Sequence, residues 1–229
     1  MERQFERVIN VLGEEGLRKL QESHVVVFGV GGVGSFAVEA LVRSGIGTIT
    51  LVDFDKIDAS NLNRQIEAVI DTVGMNKTDA FEERLLNINP EVRIIKKKLF
   101  VDENNVASCF DGKVDYVIDA IDNMNGKLAI WKYCQDHEID FIASMGAARR
   151  IDPTKLLVTT LNKTEKDPMA RKLRYMVKQA GMNNKIKVVY SSEDPLPMTE
   201  SGVLGSMMFV PATAGLVCAS ECVKALTEI

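Results

Sequence analysis

The stretch from Asp53 to Gln65, DFDKIDASNLNRQ, is dense in side chains that hydrogen-bond sugar and phosphate. Asp53 can accept both hydroxyls of a ribose, and Asp55 adds a second carboxylate. Asn61, Arg64 and Gln65 can reach phosphate oxygens, Arg64 through a bidentate fork. Taken by itself the stretch also reads as a polar turn followed by a helix start. Lys77 sharpens the choice. It follows Asn76, a good N-cap, and so falls in the first turn of a helix, where the positive end disfavours a cation. A structural lysine has little reason to be there, whereas one that clamps a polyphosphate does. Further on, YVIDAIDNMNGK places Asp122 and Asn123 just past the end of a strand, where an acid can hold Mg²⁺ against phosphates. An Asp-Asn pair also makes a helix cap.

These groups need a scaffold, and VVVFGVGGVGSFAVEALVRSG, Val25 to Gly45, supplies its first unit. Gly29, Gly31 and Gly34 fit G-x-G-x-x-G, with Gly32 between them. A chain turning sharply from strand to helix needs residues without a Cβ, and a phosphate can then approach bare N–H groups and a positive helix end. Asp53 follows about 20 residues beyond the last glycine, as a ribose-binding acid would. The turn alone leaves nicotinamide dinucleotide and ATP both open.

Short apolar runs at Val25–Gly29, Thr48–Asp53, Val92–Leu99, Asp115–Asp119, Asp140–Met145, Leu156–Leu161 and Lys187–Ser191 predict strands. Helical patterns lie between most of them; Phe81, Leu85 and Ile88, for example, share a face in a segment ending before Pro90. The alternation predicts an α/β fold: a Rossmann-like, doubly wound, mostly parallel sheet with helices on both faces and a mixed-strand C-terminal part. Ligands are then expected beyond the carboxyl ends of the strands. Ser192 to Gly202 reads as a mobile surface loop able to act as a lid.

Composition bounds the function classes. The 229 residues are 46% hydrophobic and 26% charged, the proportions of a soluble chain, and residues 1–229 read as one domain. A net charge of −4 offers no global attraction to nucleic acid, so RNA binding would need a local basic patch. The start, MERQFERV, lacks the apolar core of a secretory signal, and Cys109, Cys134, Cys218 and Cys222 have no disulfide or zinc spacing. These features point to a reducing, cytoplasmic setting. Val203 to Ser220 is uncharged over a length approaching a membrane span, but its small and polar residues favour a buried or dimer-packed helix and no membrane association.

GVGGVGS, DFDKIDASNLNRQ, VGMNKTDA, INPEV and DAIDN, in that order and spacing, resemble the ATP-dependent adenylating enzymes related to ubiquitin-activating enzyme. Those enzymes include activators of sulfur carriers for thiamine and molybdopterin synthesis. The resemblance covers roughly the first two thirds of the chain and is specific as a set. It implies that Gly32 lies against ATP, that Asp53 binds its ribose, that Asn61, Arg64 and Lys77 contact its phosphates, and that Asp122 binds Mg²⁺. It also implies a homodimer in which an arginine near the N-terminus reaches the partner's ATP. In QFERV that residue is Arg7, on the side of a helix away from Phe5, Val8, Ile9 and Leu12.

Within the family, sulfur-carrier activators commonly have two C-x-x-C zinc pairs and a reactive thiol, and this chain has neither pair. MGAARRIDPTKLLVTTLNKTEKDPMARKLR, SGIGTITLVD and NLNRQI instead resemble the bacterial tRNA-modifying branch, which implies a tRNA partner carrying threonylcarbamoyladenosine beside the anticodon. The implied reaction is ATP-dependent loss of water with ring closure, through a carboxyl-adenylate and without a protein nucleophile. A sulfur-transfer protein is a further candidate partner, although Thr199 and Glu200, not a cysteine, precede Ser201. Arg149, Arg150, Arg171, Lys172, Arg174, Lys178, Lys185 and Lys187 form a basic cluster for RNA phosphates, or a solvated helix face. Three rival functions remain: adenylation of a Gly-Gly carrier protein, a nicotinamide-dependent oxidoreductase opposed by Lys77 and NLNRQ, and a catalytically silent scaffold that binds ATP or a partner chain.

Overall fold

Strand β1, His24–Phe28, is buried along its whole length in the computed structural model, which describes residues 3–200 and 202–229. Its side chains alternate between two cores. Val25 and Val27 join the core containing Leu41, Ile49 and Cys218, while Val26 and Phe28 join the one containing Trp131, Val188 and Leu173. A strand buried on both faces has no polar side to show, which is why it reads as an unbroken apolar run.

The central strand β1 is flanked by β2 (Thr48–Val52) and β4 (Tyr116–Asp119), both parallel to it. Outside these lie β3 (Arg93–Lys97) on one side and β5 (Phe141–Ser144), β7 (Lys187–Ser191) and β6 (Leu156–Thr160) on the other. The order is β3-β2-β1-β4-β5-β7-β6, parallel except for the antiparallel β6–β7 pair at the edge. This is the expected doubly wound, mostly parallel sheet with a mixed C-terminal part. The order reverses between β1 and β4, where an open α/β sheet leaves a crevice beyond its carboxyl ends.

Helices α1 (Glu6–Glu22), α2 (Gly34–Ser44), α3 (Lys77–Ile88) and α6 (Phe209–Thr227) contribute to the first core. Helices α4 (Met124–Asp136) and α5 (Pro168–Gln179) cover the second. The apolar C-terminal segment forms a helix, α6, only from Phe209 onward, and residues 203–208, which the sequence reading included in that helix, are irregular. The helix is long and apolar enough to cross a membrane by length and composition, but Val210, Ala214, Cys218 and Cys222 are buried against α2 and the sheet.

Most strand boundaries shift by one or two residues from the sequence reading, and two of the shifts have clear physical reasons. Gly29 is not the end of β1, because its φ of +82° already belongs to the turn. β3 stops at Lys97, and Leu99, Phe100 and Val101 turn to line the crevice. The stretch after β7 is irregular, as expected. It is tied down by Leu196 N–H donating to the Arg149 carbonyl at 2.7 Å and Arg149 N–H donating to the Gly205 carbonyl at 2.9 Å. Ser201 lies outside the described residues.

Candidate active site

The glycine turn is built by two close approaches. A Cβ on Gly34 would stand 1.7 Å from the Gly29 carbonyl oxygen, and one on Gly29 would meet the Ala120 backbone at 3.0 Å. Gly34, a candidate nucleotide-binding residue by its place in the motif, therefore serves helix–strand packing and is not among the residues lining the crevice. Gly29, Gly31, Gly32 and Val33 do line it. No side chain caps the start of α2, so its positive end faces a cavity of about 320 Å³.

The polar groups converge from separate elements. Asp53, just after β2, accepts N–H bonds from Val30 on Oδ2 and Asp55 on Oδ1, each at 2.8 Å, so the carboxylate is locked against the glycine turn. Burial pushes its pKa up, and Lys77 opposes that shift. Asn61, Arg64 and Gln65 come from the 3₁₀ turn and loop after β2, and all three line the same cavity. Asn61 also closes a capping box, its Oδ1 accepting the Asp58 N–H at 3.0 Å. The Arg64 guanidinium is parked on the Ser60 carbonyl and Asn63 Oδ1, at 2.7 and 2.8 Å, contacts that a phosphate can replace.

Lys77 is the first residue of α3, as expected, and is buried at 5% exposure. It has a structural partner that the sequence reading denied it. Its Nζ donates to Asp55 Oδ2 at 2.8 Å, and this ion pair offsets the unfavourable helix dipole. Asn76 occupies the N-cap position without a capping bond, its amide turned instead to Asp79.

Asp122 and Asn123 follow β4 and line the same cavity. Asn123 makes the helix cap, its Oδ1 accepting the Gly126 N–H at 2.8 Å at the start of α4. Asp122 is exposed and, among the described residues, has no hydrogen bond or ion pair. Among those residues no group of three or more His, Cys, Asp or Glu could hold a metal ion. A lone carboxylate beside a phosphate site is the arrangement that suits Mg²⁺ carried on substrate phosphates.

Arg7 is exposed on α1 and is not among the residues lining this cavity. Sequence reasoning missed Phe54 and Phe100. Their rings meet edge to face at 5.1 Å and give the cavity an apolar wall suited to a flat ring. Phe54 follows Asp53 directly and was legible in principle; Phe100 reaches the site only because β3 lies beside β2.

Glu67 was also missed. It is 3% exposed, and among the described residues neither carboxylate oxygen has a hydrogen-bond partner. Burial pushes its pKa up to about 8, with Lys77 pulling the other way. A carboxyl raised in the fold gives up stability as pH rises from its ordinary value of 4.5 towards about 8. Glu67→Gln is therefore expected to stabilise the protein by roughly a few kcal/mol at about pH 8.5, because the amide carries no charge to bury, with the gain shrinking towards about pH 5. Urea unfolding of both proteins at the two pH values measures this, and an equal gain at both would contradict a buried neutral acid.

The four cysteines are buried free thiols. Burial pushes Cys109 up to about 11 and Cys218 to about 12, and raises Cys134 and Cys222 as well. Raised thiols of this kind are poor nucleophiles, and none of the four lines this cavity. Two members of the expected basic cluster are not surface charges. Arg150 is 3% exposed and lies 3.4 Å from Asp167, and Arg174 donates to the Thr164 carbonyl at 2.9 Å.

The ThiF family profile matches residues 2–229. The tRNA threonylcarbamoyladenosine dehydratase of Bacillus subtilis (strain 168) is 40% identical over 241 residues, covering 98% of this chain and 95% of that protein. The Escherichia coli (strain K12) protein of the same name is 38% identical, covering 96% and 92%. The crystal structure of the E. coli tRNA N6-threonylcarbamoyladenosine dehydratase in complex with ATP superposes with a TM-score of 0.92 at 38% identity, covering 99% of this chain and 95% of that one. A nucleotide cavity at the β1/β4 crossover, a matching profile along almost every residue and near full-length relatives agree: this chain belongs to the ThiF family.

Proposed function

We propose that the chain, acting over residues 1–229 as one ATP-binding unit, catalyses ATP-dependent dehydration of threonylcarbamoyladenosine next to the anticodon of tRNA. The reading rests on near full-length identity of 40% and 38% to two dehydratases of that name. The cavity is compatible with ATP: a ribose-accepting Asp53, Arg64 and Lys77 near an open helix end, and an aromatic wall.

The chemistry follows from the poor leaving group of a carboxylate. The threonyl carboxylate oxygen attacks the α-phosphorus of ATP, and the bond to the bridging oxygen breaks to release pyrophosphate. A nitrogen or oxygen of the adjacent carbamoyl unit then attacks the activated carbonyl. The C–O bond to AMP breaks, the attacking group loses its proton, and the net change on the nucleoside is loss of one water. Ring closure gains from the large effective molarity of a neighbouring group, so no protein nucleophile is needed.

In this scheme Asp53 holds the ribose, and Asn61, Arg64, Gln65 and Lys77 meet phosphate oxygens, with Asp55 keeping Lys77 in place. Gly29, Gly31 and Gly32 give the phosphates room, Gly34 supports the turn from behind, and Asn123 fixes the start of α4. Asp122 would hold Mg²⁺, which when bound neutralises phosphate charge. The enzyme works as a homodimer, and Arg7 enters the partner's cavity. The exposed apolar row Val69 (51%), Ile70 (83%), Val73 (44%) and Met75 (37%), between Gln65 and Lys77, supports an interface beside the site. Free thiols fit a cytoplasmic setting, and the burial of α6 favours no membrane association. A sulfur-transfer protein would find no accessible thiol among the described residues.

With ATP and Mg²⁺, tRNA carrying threonylcarbamoyladenosine is expected to yield a nucleoside lighter by one water, with AMP and pyrophosphate released. Mass spectrometry of digested nucleosides reads this directly. ATP with Mg²⁺ should raise the melting temperature and NAD should not. A shift with NAD alone, or adenylation of a Gly-Gly carrier protein without change in the tRNA, would overturn the reading.

A further inference from the structure

Helix α5 carries Arg171, Lys172, Arg174 and Lys178 and no acidic residue, in a chain whose net charge is −4. Its apolar side, Ala170, Leu173 and Val177, is buried at helical spacing. Arg174 turns inward to the Thr164 carbonyl and hydroxyl and is spent there. The other three cations are exposed and, among the described residues, form no ion pair. By contrast Lys166 pairs with Asp194 and Lys187 with Glu221.

Tyr175 stands among them at 66% exposure, and among the described residues its ring has no aromatic or hydrogen-bonding partner. Positions 171, 175 and 178 are spaced by four and three and so share one helix face, and Lys172, three before Tyr175, lies on the flank of that face. An exposed ring framed by unneutralised cations costs apolar surface in water and repulsion between like charges, and both costs vanish against a flat, anionic partner. α5 also begins at the right place. Its N-cap Asp167 is held by Arg150, which also binds the Gly146 carbonyl just beyond β5, so the helix starts at the carboxyl edge of the sheet, the edge that carries the nucleotide cavity.

We propose that this face of α5 docks RNA, with Tyr175 stacking on a base and Arg171, Lys172 and Lys178 meeting the flanking phosphates. The assignment rests on the reading of tRNA as substrate and adds to it the place of the footprint and a residue that senses bases. Stacking on one aromatic side chain carries roughly a 5- to 100-fold change in affinity, and each phosphate contact carries a salt dependence.

The test is filter binding of tRNA carrying threonylcarbamoyladenosine over a series of KCl concentrations, with melting temperature as the folding check. Tyr175→Ala is expected to weaken binding roughly 5- to 100-fold without altering the slope of log K against log[salt], and Tyr175→Trp to retain affinity. The triple change Arg171→Gln, Lys172→Gln, Lys178→Gln should flatten that slope by about 2–3. If the wild-type protein converts the tRNA while Tyr175→Ala and the triple variant bind it normally, the footprint is elsewhere and the dehydratase reading stands. Equal weakening by Tyr175→Trp and Tyr175→Ala overturns stacking. A wild-type protein that neither binds nor converts the tRNA removes the substrate reading along with the surface.

Discussion

Lys127→Ala is expected to cost about 3–5 kcal/mol of stability, the loss seen when one partner of a buried ion pair is deleted. For a chain of this size that lowers the melting temperature by roughly 6–20 °C. Lys127 and Asp119 are both at 0% exposure, with Nζ 3.1 Å from Asp119 Oδ1 and 2.8 Å from the Ser144 carbonyl. Trp131 Nε1–H donates to the other carboxylate oxygen at 2.6 Å. Removing the ammonium leaves Asp119 buried with only neutral donors, and burial already pushes its pKa up with Lys127 present. The double variant Asp119→Asn, Lys127→Met should recover much of the loss, because no uncompensated charge remains. Thermal unfolding of the single and double variants decides this, and a single variant as stable as the wild type would mean that the pair contributes nothing net. Asp119 ends β4 three residues before Asp122, so the pair also fixes the wall from which Asp122 projects.

Asp122→Ala should behave in the opposite way, with stability within about 0.5 kcal/mol of wild type and adenylation reduced roughly 10²–10³-fold. The carboxylate is exposed and, among the described residues, unpartnered, so the fold does not depend on it. ATP–pyrophosphate exchange with modified tRNA measures the loss, and retained exchange would remove Asp122 from the mechanism. Lys77→Ala should lose both activity and about 1–2 kcal/mol of stability, since its removal breaks the pair with Asp55 and leaves Asp53 without its compensating cation. The Asp122→Ala protein also tests the assignment of Arg7 to the partner's cavity. Mixed with Arg7→Ala subunits, it should recover about one quarter of wild-type activity, because half the dimers are hybrids and each has one complete site. Inactive mixed dimers would place both residues in a single chain's site.

The doubly wound sheet, the nucleotide turn and most of the cavity lining were legible in the residues themselves. β1 is a strand because three consecutive valines and a phenylalanine, Val25 to Phe28, fill a doubly covered strand, and the turn is fixed because Gly29 and Gly34 stand where a Cβ has no room. Asp53 was legible because a polar group just after a strand projects to the carboxyl edge, Asn61, Arg64 and Gln65 because they crowd the loop that follows it, and Lys77 because a cation opens a helix whose positive end disfavours one. These are local rules, and they act within one strand–turn–helix unit. Pairings between units were not legible. Lys77 with Asp55, Lys127 with Asp119 and Trp131, and the inward turn of Arg150 and Arg174 each depend on which element packs against which. The same holds for Glu67, whose raised pKa arises from burial without a partner, and for Phe100, which reaches the cavity from the neighbouring strand. Sequence spacing places a side chain on a face of its own element, but its dielectric surroundings and its partner come from other elements. Tertiary packing therefore decided which charges stay free to meet a ligand and which are consumed in holding the fold.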